Sequence, residues 1–140
     1  SVYATEYGWD GTFEHLVLDI VSDFTRNFNP KRECCWIAER NGQHAGHVFL
    51  TQHPEDHNTA RIRLLMVERE ARGAGLGKML VNECIRFARA CGYRRITLWT
   101  QSILTSAHRI YAKAGFQLIK QEPHQSFGKN LMEQTWELVL

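Results

Sequence analysis

Three glycines at alternate positions, Gly73, Gly75 and Gly77, do most to narrow the folds open to this chain. They lie between an apolar strand-like run, Ile62 to Val67, and a stretch with a clean helical face, Leu76 to Cys91. A loop of this kind exposes successive backbone N–H groups at a helix N-terminus, where the helix dipole favours an anion. Arg72 and Lys78 flank it and add positive charge. The pattern reads as a cradle for a diphosphate. A dinucleotide fingerprint needs G-x-G-x-x-G, and here Lys78 follows a G-x-G-x-G run, so that match fails. A P-loop needs G-x-x-x-x-G-K-[ST]. Met79 follows Gly77-Lys78, and Arg72 stands at the first glycine position, so that match fails too.

The rest of the chain arranges itself around this junction. Phe13, Leu16, Val17, Ile20, Val21, Phe24 and Phe28 recur at helical spacing and predict a first helix, stopped by Asn29-Pro30. Cys34 to Glu39 and His44 to Thr51 read as strands joined at Asn41-Gly42, the dipeptide of a tight hairpin. Ala60 to Val67 follows as a third strand, with Ile62, Leu64 and Met66 expected on one face and Arg61, Arg63 and Leu65 on the other. After the glycine loop, Leu76, Leu80, Val81, Cys84, Ile85, Phe87, Ala88 and Cys91 form one side of a helix that Gly92 can cap. Arg95 to Gln101 is a strand, which implies a parallel crossover. Thr105 to Ala114 is a short helix, Phe116 to Gln121 a strand, Pro123 to Asn130 a polar loop, and Leu131 to Leu140 a closing strand. This order predicts an α/β (α+β) fold, a mixed sheet with helices on both faces, in a single domain over residues 1–140.

Composition excludes some classes of function. The net charge of +2 is too small to argue for nucleic acid by itself. No apolar run reaches membrane-spanning length and no signal peptide opens the chain, which leads to the expectation of a cytoplasmic protein. The chain opens on Ser1 rather than Met, as a processed or excised piece would. Cys34, Cys35, Cys84 and Cys91 have no zinc-site spacing and read as buried free thiols in a reducing compartment. His44 with His47, and His53 with His57, lack a third ligand at a sensible spacing, so no metal is expected. A homodimer is the default oligomer.

The R-x-x-G-x-G pattern from Arg72 to Gly77 resembles the acyl-coenzyme A pyrophosphate loop of the GCN5-related N-acetyltransferases, the GNAT family. Ile110-Tyr111-Ala112-Lys113-Ala114-Gly115-Phe116 resembles that family's second signature, an aliphatic-Tyr-x-Lys-x-Gly-Phe segment. The resemblance spans residues 33–140 well and residues 1–32 less specifically. It implies a sheet with a splayed strand pair and acetyl-coenzyme A as cofactor. It also implies transfer of the acetyl group to a primary amine by direct attack in a ternary complex. Arg72, Gly73, Ala74, Gly75, Leu76, Gly77 and Lys78 would hold the diphosphate. Main-chain groups of Leu65, Met66 and Val67 would pair with the pantetheine arm, and the Val67 amide is the candidate oxyanion donor. Tyr111 would be the general acid, although a tyrosine there also reads as packing.

Two departures from the family pattern stand out. Arg69 occupies a position where the family often has Pro. Leu104 stands where it often has an Asn that bonds the pantetheine arm, so Ser102, Thr105 or Ser106 would have to substitute. The base is not legible: Glu39, His47, Glu68, His124 and Glu137 all remain candidates, as does a water chain. A narrower resemblance lies in Cys35 to Arg40, Gln125 to Gly128 and Gln134 to Leu138. These look like the C-terminal half of bacterial proteins whose N-terminal half is a MarR-type winged-helix regulator. That resemblance implies a second reading, a non-catalytic acyl-coenzyme A sensor attached to a DNA-binding domain. Any contact with nucleic acid would then belong to that domain. The acceptor is not readable from the sequence.

Overall fold

The computed structural model describes residues 29–68, 75–101, 105–126 and 129–140. The predicted first helix and the aromatic residues Tyr3, Tyr7 and Trp9 lie outside these residues, as do Arg69, Arg72, Gly73, Ala74 and Leu104.

Six strands form one sheet in the order β1-β2-β3-β4-β6-β5. They are β1 (Cys34–Arg40), β2 (Gln43–His53), β3 (Asp56–Val67), β4 (Arg95–Gln101), β5 (Gln117–Ser126) and β6 (Lys129–Val139). Two helices are described, α1 (Leu76–Cys91) between β3 and β4, and α2 (Thr105–Ala114) between β4 and β5. The β3–β4 pair is parallel, as a strand-helix-strand unit requires, and every other pair is antiparallel. The hairpin between β1 and β2 turns at Asn41 and Gly42, with φ of 55° and 77°. Positive φ at both central residues gives a turn whose twist matches the strands.

The core lies between one face of the sheet and both helices. Val48, Leu50, Ala60, Ile62, Ile96, Leu98 and Leu138 come from the sheet; Leu80, Val81, Cys84, Ile85 and Ala88 come from α1; Tyr111 comes from α2. The α1 residues recur at helical spacing, and Lys78, Asn82, Arg86 and Arg89 are exposed on the opposite side, as the sequence predicts. All four cysteines are free thiols, but only Cys84 is buried; the other three are half-buried. The foot of α1 is tied to the chain entering β1. Arg32 stacks on the Tyr93 ring at 4.1 Å and donates to the Cys91 carbonyl at 3.4 Å, and the Tyr93 hydroxyl donates to the Arg32 carbonyl at 2.7 Å.

Two sequence expectations change. The segment 123–130 is not a polar loop: β5 runs through Pro123 to Ser126 and pairs back onto β6, with Pro123 opposite Met132 and Ser126 opposite Lys129. Pro is tolerated there because β5 is the outermost strand, where one side of the backbone has no ladder to donate to. The simple alternation of the third strand also fails, at Leu64. Opposite three residues of β2, His47 to Phe49, β3 spends four, Met66 back to Arg63. Leu64 takes φ of 53°. One extra residue shifts the parity, so Leu65 and Val67 point to the same face as Ala60 and Ile62 and pack on the core. Met66 then falls on the opposite face with Arg61 and Arg63.

Candidate active site

β3 and β4 start out paired and end apart. Their register runs from Thr59 opposite Arg95 to Ile62 opposite Leu98 and then stops, although β3 continues to Val67 and β4 to Gln101. A gap therefore opens at the carboxyl ends of two parallel strands, where α/β sheets bind ligands. The bulge at Leu64 lies just beyond the last paired residue and bends β3 at that point.

The gap has main-chain groups on its β3 side. The Glu68 N–H donates to the Ala45 carbonyl at 2.8 Å, and Val67 sits opposite Gly46 and Met66 opposite His47. Alternation along an antiparallel ladder turns the main-chain groups of Met66 toward β2. It turns those of Val67, and by the same alternation Leu65, away from β2 and toward the gap. Met66 itself presents its side chain to the face away from α1.

At the top of the gap α1 begins. Gly75 caps it with φ of 76°, a left-handed conformation that only glycine adopts without cost. The first intrahelical bond recorded there runs from Met79 N–H to the Gly75 carbonyl at 3.0 Å. The amides of Leu76, Gly77 and Lys78 thus have no acceptor within the helix, no side chain caps the end, and its first turn holds no acidic residue. A helix of 16 residues with such an end suits an anion. Gly77 is glycine for a packing reason as well, since a Cβ there would come within 2.7 Å of the Ile110 Cδ1 on α2.

Tyr111 projects from α2 into the core cluster that also holds Ile62 and Leu98, the last paired residues. Its ring lies 6.0 Å from Phe116 and 6.4 Å from Trp136. Burial, with Cys84 beside it, pushes its hydroxyl up to about 12, so it holds its proton throughout the neutral range.

The candidate bases separate. His47 and Glu68 come together through His44: His44 Nε2 is 3.2 Å from His47 Nδ1, and His44 Nδ1 is 3.4 Å from a Glu68 carboxylate oxygen. The three run from a half-exposed carboxylate to an imidazole that is 1% exposed. Burial first, and His44 second, lower His47 to about 4, so it is a neutral imidazole at pH 7. His44 carried no signal in the sequence beyond its spacing from His47; only the strand pairing shows it as the link. Glu137 is tied to Arg95 Nε at 3.5 Å, Glu39 is exposed on the edge strand β1, and His124 lies in β5. Among the described residues no group of three or more His, Cys, Asp or Glu side chains is placed to hold a metal ion, and no helix is long and apolar enough to cross a membrane.

A cleft of about 350 Å³ lies on the same face at the other end of β4, lined by Asp56, Arg95 and Glu137 among others. Its one guanidinium is already engaged, because Arg95 pairs with Asp56 at 3.2 Å as well as with Glu137. The main-chain groups of Leu65 and Val67 and the start of α1 lie instead at the gap.

Comparison with known proteins agrees with this geometry. The model of a family described as the acetyltransferase (GNAT) family matches residues 3–116. N-acetylaspartate synthetase of Danio rerio is 33% identical over 90 residues, which cover 64% of this chain and 32% of that protein. The chain thus spans about a third of the length of such curated relatives. Ribosomal-protein-alanine N-acetyltransferase from Brucella melitensis superposes with a TM-score of 0.74 at 20% identity, covering 91% of this chain and 78% of that one. A Bacillus subtilis acetyltransferase in complex with CoA gives 0.69 at 22% identity, with 87% and 83% covered.

Proposed function

Because the chain belongs to the GNAT acetyltransferase family, we propose that it transfers an acetyl group from acetyl-coenzyme A to a primary amine held at the parted ends of β3 and β4. The observation that carries this reading is the gap itself, with an uncapped, acid-free helix start at its upper end. The residues present suit the cofactor. The amides of Leu76, Gly77 and Lys78, with Arg72, Gly73, Ala74 and Gly75 before them, would hold its diphosphate, and main-chain groups of Leu65 and Val67 would pair with its pantetheine arm. When bound, acetyl-coenzyme A supplies an activated acyl group: the acceptor nitrogen gains a C–N bond, the C–S bond breaks, and one proton leaves nitrogen while one joins sulfur.

The chain's own groups serve those needs. The Val67 N–H, turned toward the gap, is our candidate donor to a developing oxyanion. Tyr111 keeps its proton at neutral pH and can give it to a leaving thiolate. On the other face His47 is neutral and can accept the proton released by the amine, and His44 and Glu68 behind it offer a route to the surface.

Thiol release on mixing acetyl-coenzyme A with amines tests the proposal. Steady release that depends on the amine supports it. Tight coenzyme binding with no turnover on any amine would favour the alternative, a sensing module of the same fold. Attachment to an N-terminal MarR-type domain is a further proposal, resting on the resemblance of Cys35 to Arg40 and Gln134 to Leu138; sequencing the gene upstream of Ser1 decides it.

A further inference from the structure

The start of α1 rests directly on the end of β3, since Val67 Cγ2 lies 3.7 Å from the point where Gly77 would carry a Cβ. Gly46 on β2 meets both. It is buried and stands opposite Val67 in the strand register. A Cβ at Gly46 would lie 2.8 Å from the Met66 carbonyl oxygen, 3.2 Å from Leu80 Cδ1 and 3.3 Å from Leu76 Cδ2. The first contact is too short for any side-chain carbon against a backbone atom, and the other two are tight, so a methyl there must move something. One of these atoms belongs to the parted end of β3, and the other two to the first turns of α1. The end of β3 cannot simply swing clear, because the Ala45 carbonyl holds the Glu68 N–H at 2.8 Å. A methyl would therefore bow Met66 toward the gap or lift the first turn of α1 off the sheet. Either movement changes the distance from the amides of Leu76, Gly77 and Lys78 to the main-chain groups of Leu65 and Val67.

We propose that Gly46 is a positioning residue for the coenzyme: the lack of a side chain there sets the spacing between the helix start that takes the diphosphate and the strand end that takes the pantetheine arm. This rests on the acetyl-coenzyme A reading of the gap and adds a residue that acts from behind, because β3 stands between Gly46 and the gap. Coenzyme A is one molecule with two holding points joined by a covalent link of limited reach. Joined groups bind far more tightly than separate ones only where the geometry lets both sites be engaged at once. A shift in spacing thus penalises the joined ligand and spares its halves. The same spacing places the thioester carbonyl against the Val67 N–H, where a misplacement of about 1 Å costs about 100-fold in rate.

The test divides the coenzyme in two. Adenosine diphosphate carries the diphosphate without the arm, and pantetheine carries the arm without the phosphates. Affinities are measured on wild type and Gly46→Ala, by NMR titration for the two fragments and by calorimetry for coenzyme A. Gly46→Ala should weaken coenzyme A by roughly tenfold or more, while each fragment stays within about twofold of its wild-type affinity. Leu76→Ala empties the helix side of the same contact at a half-buried residue, and should give the same pattern at smaller amplitude whether or not Gly46→Ala folds. Coenzyme affinity that is unchanged in the folded variants overturns the inference. So does a fragment that weakens as much as the whole coenzyme, because Gly46 would then shape one holding point rather than the spacing. Wild-type protein that takes up no coenzyme A overturns the acetyl-transfer reading as well, whereas normal uptake that ignores both substitutions overturns this inference alone.

Discussion

β3 and β4 are joined over one half and parted over the other, and different interactions govern the two halves. At the joined end, Thr59 to Ile62 pair with Arg95 to Leu98, and Arg95 ties both Asp56 and Glu137 across the strands. The strands are paired within the sheet and Arg95 is shared between two carboxylates, so that end is finished as structure. At the parted end, one extra residue at Leu64 turns β3, and the ladder to β4 is replaced by main-chain groups with a gap in front of them. The joined end should therefore answer to stability measurements, and the parted end to binding and turnover.

Tyr111→Phe should break the comparison most sharply. It removes one oxygen from a well-packed ring, so turnover should fall by roughly 10²–10⁴-fold while coenzyme affinity and melting temperature stay close to wild type. Loss of coenzyme binding in parallel with activity would instead make Tyr111 a packing residue. Deleting Leu64 attacks the bulge itself. It restores a regular two-residue alternation with Leu65 and Val67 still on the core face, removes the bend that parts β3 from β4, and should weaken coenzyme A by about 100-fold or more in calorimetry. Leu64→Gly keeps the extra residue and the positive φ, and should retain binding.

His47 gives a pH signature. Its folded value of about 4 lies below its ordinary 6.5. Between those values the unfolded chain takes up a proton that the folded one refuses, so this contribution is complete above pH 6.5 and declines as pH falls toward 4. The loss amounts to about 3 kcal/mol by linkage. His47→Gln should flatten the slope of urea-unfolding stability against pH in that window, whatever it does to the level. The smallest effect belongs to the joined end. Arg95→Met removes two partly exposed ion pairs, should cost about 1 kcal/mol or less, and should leave kcat unchanged. A large loss of activity there would erase the distinction between the two ends.

Much of this was legible one element at a time. The apolar face of α1, the Asn41-Gly42 turn, the parallel crossover and the glycine-rich junction are all local signals: a period of 3.6, a dipeptide, a loop length, a spacing. The segment 123–130 was misread because polar residues and a proline look like loop unless one knows that β5 is outermost. The β3 alternation was misread because a bulge is defined by the partner strand, and nothing within Arg63-Leu64-Leu65-Met66 announces it. Likewise no local pattern connects His44 to Glu68, 24 positions away.

The order of residues alone determined the family, the junction that suits a diphosphate, and the side of each regular helix that would be buried, because those follow from periodicity and from chemistry carried by neighbours in the chain. Tertiary structure decided where β3 changes parity, that its end parts from β4, and that His44 stands between His47 and Glu68. Those depend on cross-strand register and on how three strands share one sheet, which is a property of pairing between segments far apart in the chain.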